Sequence, residues 1–346
     1  MPTKKKEYED AIFETPHPSQ SSLIGHKNIL HKLLNILCAN KSHHAIIING
    51  KKGIGKATLV YTALKMCLQE YDQKLNQNKD SIAMMLSRTH PDILILEDLP
   101  TQKKDKKDIS IDQIRAMIEF AQLTPSYLNK KYIIIDPIDS LNNSSANALL
   151  KILEEPPATV QFIMTCNKLK STIQTVISRC IVLHCKPNTY QNCITILNSL
   201  NIKKDVNDIE LIMQISGYNV ATAIEIIRSD AVRFYKALLL DISNQYNTCE
   251  KLLLSIAKNT YYPHILQHFT QRILTNISKM SANVINEEHL AIFEIEFFEK
   301  YLNTKYPTPL EMEEKINKCI NIFSDSEIFK LSNAHLTQTI LHIIRK

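Results

Sequence analysis

The chain has 346 residues, enough for two or three domains, and its 44% hydrophobic and 22% charged content excludes global disorder. A net charge of +6, from 41 basic against 35 acidic residues, excludes a dedicated nucleic-acid coat. The 8 cysteines contain no Cys-x-x-Cys pair, no apolar run approaches the roughly 18 residues of a membrane span, and MPTKKKEYED lacks the apolar stretch of a secretory signal. A reduced, cytoplasmic setting without a membrane is therefore expected.

Residues 1–20 are polar, with Pro16 and Pro18, and read as a loose arm. Helical spacing predicts a helix from Leu23 to Ala39. Ala45-Ile46-Ile47-Ile48-Asn49 is short, continuous and apolar, as a strand covered on both faces should be. Glycine is scarce, with 5 residues against roughly 24 at average usage. Three of them, Gly50, Gly53 and Gly55, follow this strand directly. Val60, Ala63, Leu64, Cys67 and Leu68 then mark a helix face. Residues 69–90 read as polar and low in strand signals.

Asp92 to Leu96 is a second strand, and Lys103–Lys107 reads as a solvated loop. Ile111 to Gln122 is helical by spacing. Tyr132 to Ile135 is a third strand, ending on Asp136. A helix from about Ser144 to Glu155 is stopped by Pro156-Pro157. Val160–Thr165 and Ile181–His184 are the fourth and fifth strands. Five alternations of strand and helix predict a parallel sheet with helices on both faces. After Pro187 only helical periodicity remains, as in Leu266, Phe269, Ile273 and Ile277, or Leu336, Ile340 and Ile344.

Gly50-Lys51-Lys52-Gly53-Ile54-Gly55-Lys56-Ala57-Thr58 lies between strand and helix and fits the GxxxxGK phosphate loop. Backbone N–H groups of such a loop cradle phosphates, and Lys56 would reach the β- and γ-phosphates. The pattern requires Ser or Thr next, as a magnesium ligand, but the position holds Ala57. Thr58 is one residue late, rotated by about 100° around the helix. The second nucleotide motif needs a strand ending in Asp-Glu. Asp136 is in place, Pro137 occupies the glutamate position, and Asp139 is displaced by three residues. Both defects argue that a bound nucleotide is not turned over.

These residues, with His90-Pro91-Asp92, Ile109-Ser110-Ile111-Asp112-Gln113-Ile114-Arg115, Asn147-Ala148-Leu149-Leu150-Lys151-Ile152-Leu153-Glu154-Glu155-Pro156-Pro157 and Ser178-Arg179-Cys180, carry a resemblance. The chain resembles the delta-prime subunits of bacterial DNA polymerase III clamp loaders, within the AAA+ superfamily. The resemblance spans about residues 20–185. It implies an AAA+ P-loop α/β domain with a five-stranded parallel sheet at 1–186. A small helical lid at 187–233 and a C-terminal helical collar at 234–346 would follow. It also implies that Arg179 acts in trans as an arginine finger, at the ATP site of a neighbouring subunit, where a guanidinium fork matches phosphate oxygens. The competing reading is that Arg179 pairs with a nearby carboxylate. Thr165 sits where the family keeps a polar sensor of the γ-phosphate, with Asn167 as the alternative.

Two departures accompany the resemblance. Many clamp-loader subunits hold zinc through four cysteines between the phosphate loop and the second strand, and residues 59–91 offer only Cys67. Cys180, His184, Cys185 and Cys193 do not make a convincing substitute, because strand alternation splays His184 from Cys185. No metal is expected. The sensor arginine expected after Ser216-Gly217-Tyr218 falls on Thr222.

The function so implied is a non-hydrolysing subunit of the DNA polymerase III holoenzyme that supplies an arginine finger and helps load the sliding clamp on primed DNA. Its degenerate nucleotide site would comprise Gly50, Gly53, Gly55, Lys56, Thr58, Asp136 and Thr165. No cofactor would be required, and any ATP or ADP held there would not be turned over. Partners would be gamma/tau-type ATPase subunits, a delta-type subunit, the clamp and DNA. Lys151 and Lys103–Lys107 read more readily as solvated surface than as DNA contacts. The alternative, a working AAA+ motor subunit, is disfavoured by Ala57 and Pro137. An unrelated P-loop scaffold is disfavoured by the NALLKILEEPP helix and Ser178-Arg179-Cys180.

Overall fold

A computed structural model describes residues 16–39, 43–75, 80–97, 109–168, 174–200, 202, 206–244, 262–282, 284, 290–305, 307–329 and 332–345. The Lys103–Lys107 run lies outside them. The chain divides into two compact units, one of Glu14–Asn188 and one that includes Thr189–Lys346.

In the first unit the elements run α1 (Lys27–Leu37), β1 (Ala45–Asn49), α2 (Lys56–Leu75), α3 (Ser81–Leu86), β2 (Ile93–Glu97), α4 (Ile111–Gln122), β3 (Lys131–Asp136), α5 (Asn143–Glu154), β4 (Val160–Cys166), α6 (Gln174–Ile177) and β5 (Ile181–His184). The five strands form one sheet in the order β2-β3-β4-β1-β5. Every pairing is parallel.

The alternation of side chains assigns each strand to two cores. Ile46 and Ile48 of β1, Ile134 of β3 and Ile163 of β4 pack with Leu33 and Leu37 of α1 and Leu59, Ala63, Leu64 and Leu68 of α2. Ala45, Ile47, Ile133, Ile135, Phe162 and Met164 pack on the other face with Ile114, Met117 and Ala121 of α4 and Leu149, Ile152 and Leu153 of α5. Each of the large apolar side chains among them stabilises by about 1.5–3 kcal/mol when fully buried, so both helix layers are held by burial.

The motifs before the helices act as caps. Ser110 accepts from the Gln113 N–H, and the Gln113 side chain accepts from the Ser110 N–H, a reciprocal capping box that starts α4. Asn142 caps α5 by accepting from Ser145 N at 2.8 Å, and the Ser145 hydroxyl donates to Ile109 O at 3.0 Å. His90-Pro91-Asp92 is also structural. The buried Asp92 carboxylate accepts N–H bonds from Ser126, Tyr127 and Leu128. It also faces the buried Lys131 ammonium at 3.8 Å.

Three differences from the sequence reading have local causes. The first helix starts at Lys27 rather than Leu23, because Gly25 and His26 are left-handed (φ 84° and 53°). The stretch 69–90 is largely helical: α2 continues to Leu75, and Asp80 caps α3 through Ala83 N. Pro16–Gln20 is not loose. His17 pairs with Glu97 at 3.4 Å, and the Lys65 ammonium donates to Ser19 O.

The second unit is helical among its described residues: α7 (Tyr190–Ser199), α8 (Val206–Ser216), α9 (Val220–Arg228), α10 (Ala231–Asn244), α11 (Tyr262–Ser281), α12 (Ile292–Lys305), α13 (Pro309–Phe329) and α14 (Asn333–Arg345). Their apolar faces share one core, including Leu266, Phe269, Ile273 and Ile277 of α11 and Leu336, Ile340 and Ile344 of α14. Within it, Glu294 accepts a bidentate pair from Arg272 (2.7 and 2.8 Å) and a bond from Tyr235. No described helix is long and apolar enough to cross a membrane.

Candidate functional site

In an open parallel sheet, ligands sit outside the carboxyl ends of the strands. Here those ends bring together the loop after β1, Asp136 at the end of β3, and Thr165 with Asn167 at the end of β4. The predicted residues Gly50, Gly53, Gly55, Lys56, Asp136 and Thr165 therefore share one edge of the sheet.

The loop's glycines have separate reasons. A Cβ on Gly50 would meet Cys185 O at 2.5 Å, so the backbone just after β5 presses on the loop and permits no side chain there. Gly53 and Gly55 are left-handed, with φ 84° and 97°. The loop is braced by His26, which the sequence reading missed. His26 Nε2 donates to Ile54 O at 2.8 Å, which leaves Nδ1 to accept from the Cys185 thiol at 3.3 Å. His26 precedes Ile54 by 28 residues and Cys185 follows far behind, so no local pattern could connect them.

Lys56, the first residue of α2, is only 5% exposed. Its ammonium donates to Gly50 O, Lys51 O and Asn167 Oδ1, each at 2.8 Å. An ammonium has three donors, and all three are engaged inside the protein. Burial pushes its pKa down, opposed chiefly by the charge of Asp136.

Asp136 accepts from the Thr165 hydroxyl, whose residue is fully buried. Burial pushes the Asp136 carboxyl up, and the Thr165 bond partly opposes this. Of the two sensor candidates, Asn167 meets Lys56 and Thr165 meets Asp136. Asp139, in the short 3-10 turn Ile138–Ser140, accepts from Asn167 N and, at 3.3 Å, from Lys168 N. It holds the end of β4 and thereby positions Asn167. Thr58 lies in the first turn of α2, and its carbonyl accepts from the Thr62 hydroxyl at 2.7 Å.

Beside Asp136, in register with it on β2, stands Glu97. Tyr61 and Arg88 donate to its two carboxylate oxygens. Burial raises the Glu97 carboxyl, but the Tyr61 and Arg88 bonds prevail and hold it below its ordinary value. His17, Tyr61, Arg88 and Glu97 come from one helix, one strand and two segments outside helix and strand, and left no sequence signal.

Arg179 lies elsewhere. It precedes β5, whose Ile181 pairs with Ile46, whereas the loop meets Cys185 beyond the far end of that strand. Four residues of parallel strand separate the two positions by about 13 Å. Arg179 Nη2 donates to Glu154 Oε1 at 2.6 Å, and Nη1 donates to Thr175 O at 2.8 Å and Ser178 Oγ at 3.2 Å. The pair is open to solvent, with the side chains 35% and 50% exposed. In this chain by itself, the guanidinium is parked on a carboxylate.

The remaining sites are simpler. Asn219 caps α9 through Thr222 N, at the position expected for the sensor arginine. Cys185 turns to His26, and Cys193 donates to Tyr218 O at 3.5 Å. No cluster of three or more His, Cys, Asp or Glu suited to a metal ion occurs among the described residues.

Residues 25–189 match the family model described as DNA polymerase III, delta subunit. The DNA polymerase III subunit delta′ of Yersinia pestis is 31% identical over 142 residues, 40% of this chain and 41% of that protein. The subunit delta′ of Escherichia coli K12 is 28% identical over 169 residues, 48% of this chain and 49% of that protein. The match thus spans less than half the length of these curated relatives. The DNA polymerase III subunit gamma of Buchnera aphidicola from Acyrthosiphon pisum is 22% identical over 319 residues, 87% of this chain and 86% of that protein. A crystal structure of a gamma subunit-related protein from Thermotoga maritima aligns over 91% of this chain and 98% of its own, with 15% identity and a TM-score of 0.43. Through residues 25–189, which hold the phosphate loop, Asp136, Thr165 and Arg179, this chain resembles the delta-prime subunit of the DNA polymerase III clamp loader.

Proposed function

We propose that this chain is a delta-prime-type clamp-loader subunit that does not hydrolyse ATP and that offers Arg179 to the ATP site of a neighbouring subunit. The observation that carries this reading is the state of Lys56, buried and engaged by three internal acceptors. A phosphate would have to displace Gly50 O, Lys51 O and Asn167 Oδ1. Ala57 supplies no metal-binding hydroxyl, and Pro137 supplies no carboxylate to orient a water. ATP or ADP is at most held here without turnover, and no cofactor is required.

Arg179 supports the second half of the reading. Its partner Glu154 is half-exposed, so release of the guanidinium strands no buried charge. In this reading gamma/tau-type ATPase subunits and a delta-type subunit complete a hetero-oligomeric ring that opens the sliding clamp for primed DNA. Residues 187–233 serve as the lid and 234–346 as the collar. The sequence match to gamma subunits keeps a motor role as the second reading.

Co-purification from the native organism and an ATPase assay of the isolated chain test both. ATPase clamp-loader subunits in the complex, with no turnover above buffer by this chain alone, are expected. Steady turnover abolished by Lys56→Ala would establish the motor role.

A further inference from the structure

We propose that Cys38 and Cys67 form a thiol-modification site, closing a reversible disulfide between the end of α1 and the phosphate-loop helix α2 when the chain meets a small-molecule disulfide. Their sulfurs lie 3.8 Å apart. Among the described residues this is the one pair of cysteine sulfurs in contact. A disulfide needs about 2.0 Å between sulfurs, so the pair must close by a little under 2 Å. Cys38 caps α1, is exposed and sits just beyond the regular helix, where its side chain has room to turn. Cys67 is half-buried within α2.

The two thiols have different roles. Cys38 faces solvent and meets the oxidant first. Burial and the adjacent Cys38 push the Cys67 thiol up, so Cys67 is the poorer initial nucleophile. With oxidised glutathione, the Cys38 thiolate attacks one sulfur and expels a glutathione thiolate. That forms a mixed disulfide at Cys38 and removes the charge that opposed ionisation of Cys67. The Cys67 thiolate then attacks the Cys38 sulfur and expels the second glutathione thiolate. Two protein thiols and one oxidised glutathione thus become one protein disulfide and two reduced glutathiones.

The bond would tie together two helices on one face of the sheet, closing a loop between positions 29 residues apart. Such a cross-link restricts the unfolded chain, so the oxidised protein should melt several degrees higher.

The test incubates the full chain with mixtures of oxidised and reduced glutathione, quenches with acid and maps peptides by mass. The expected product is a Cys38–Cys67 linked peptide lighter by two hydrogen atoms and restored by dithiothreitol. Cys67→Ser should stop at a glutathione adduct on Cys38, and Cys38→Ser should leave Cys67 unmodified in the same buffers. A wild-type chain that accumulates the Cys38 adduct with Cys67 free, or that links either cysteine to a different one, overturns the proposal.

Discussion

Two cations of the Glu14–Asn188 unit, Lys56 at the carboxyl ends of the strands and Arg179 before β5, are held in opposite ways. At the carboxyl edge, Lys56 is buried, and its three donors meet two loop carbonyls and Asn167. At the entrance to β5, Arg179 rests on the half-exposed Glu154. Removing Lys56 from its three part-buried acceptors strands a buried ammonium, at about 1–3 kcal/mol or more. Releasing Arg179 breaks an exposed pair of about 0–1 kcal/mol. One unit therefore holds the Gly50–Lys56 loop through a buried ammonium while its Arg179 guanidinium rests in a weak, exposed pair. The difference lies in burial rather than in the charge of either residue.

The largest stability effect should come from the carboxyl edge. Gly50→Ala places a methyl against Cys185 O, a backbone atom that cannot rotate away. A loss of about 3 kcal/mol is expected in urea denaturation. An Ala variant as stable as wild type would mean that the loop yields easily and is not closed.

Asp136→Asn tests the same edge with the opposite sign. Asn can still accept from Thr165, but it carries no charge. The Asp136 carboxyl is raised by burial in the folded chain, so the folded state binds this proton more tightly than the unfolded state. Wild-type stability contributed by this group is therefore greatest below the ordinary aspartate range and falls as pH rises through the raised value. The Asn variant should melt a few degrees higher at neutral pH and match wild type in acid. A variant less stable at neutral pH would mean that the Lys56 attraction outweighs burial.

The smallest effect belongs to Arg179. Arg179→Ala should shift stability by less than about 1 kcal/mol, because water screens the pair with Glu154. A loss above about 2 kcal/mol would make Arg179 a structural residue.

The same contrast decides what was legible in the sequence. The strand, the glycine cluster and Lys56 are contiguous, so the loop and its place in the sheet could be read directly. The short continuous apolar runs, alternating with helical segments, predicted the helix-covered sheet. Partners that are distant in sequence were not readable. His26 and Cys185 flank the loop from opposite ends of the unit, and Glu97 collects His17, Tyr61 and Arg88 from three separate segments. Asp92 marked a family motif, and its work as an acceptor for residues 126–128 appears only in three dimensions. Thr165 and Asn167 could not be separated by residue type, because both are polar and flank the last residue of the same strand. The helix Ser81–Leu86 was hidden by its six-residue length.

The most direct measurement compares ATP hydrolysis by two reconstituted loaders, one carrying Arg179→Ala and one carrying Lys56→Ala in this subunit, with assembly checked by gel filtration. Clamp- and DNA-stimulated hydrolysis should fall with Arg179→Ala, by up to roughly 10³-fold at the one site this subunit faces. Arg179→Lys should rescue it poorly, because an ammonium lacks the bidentate fork. Lys56→Ala should leave hydrolysis unchanged. An assembled loader that hydrolyses at the wild-type rate with Arg179→Ala and loses turnover with Lys56→Ala would contradict both assignments at once.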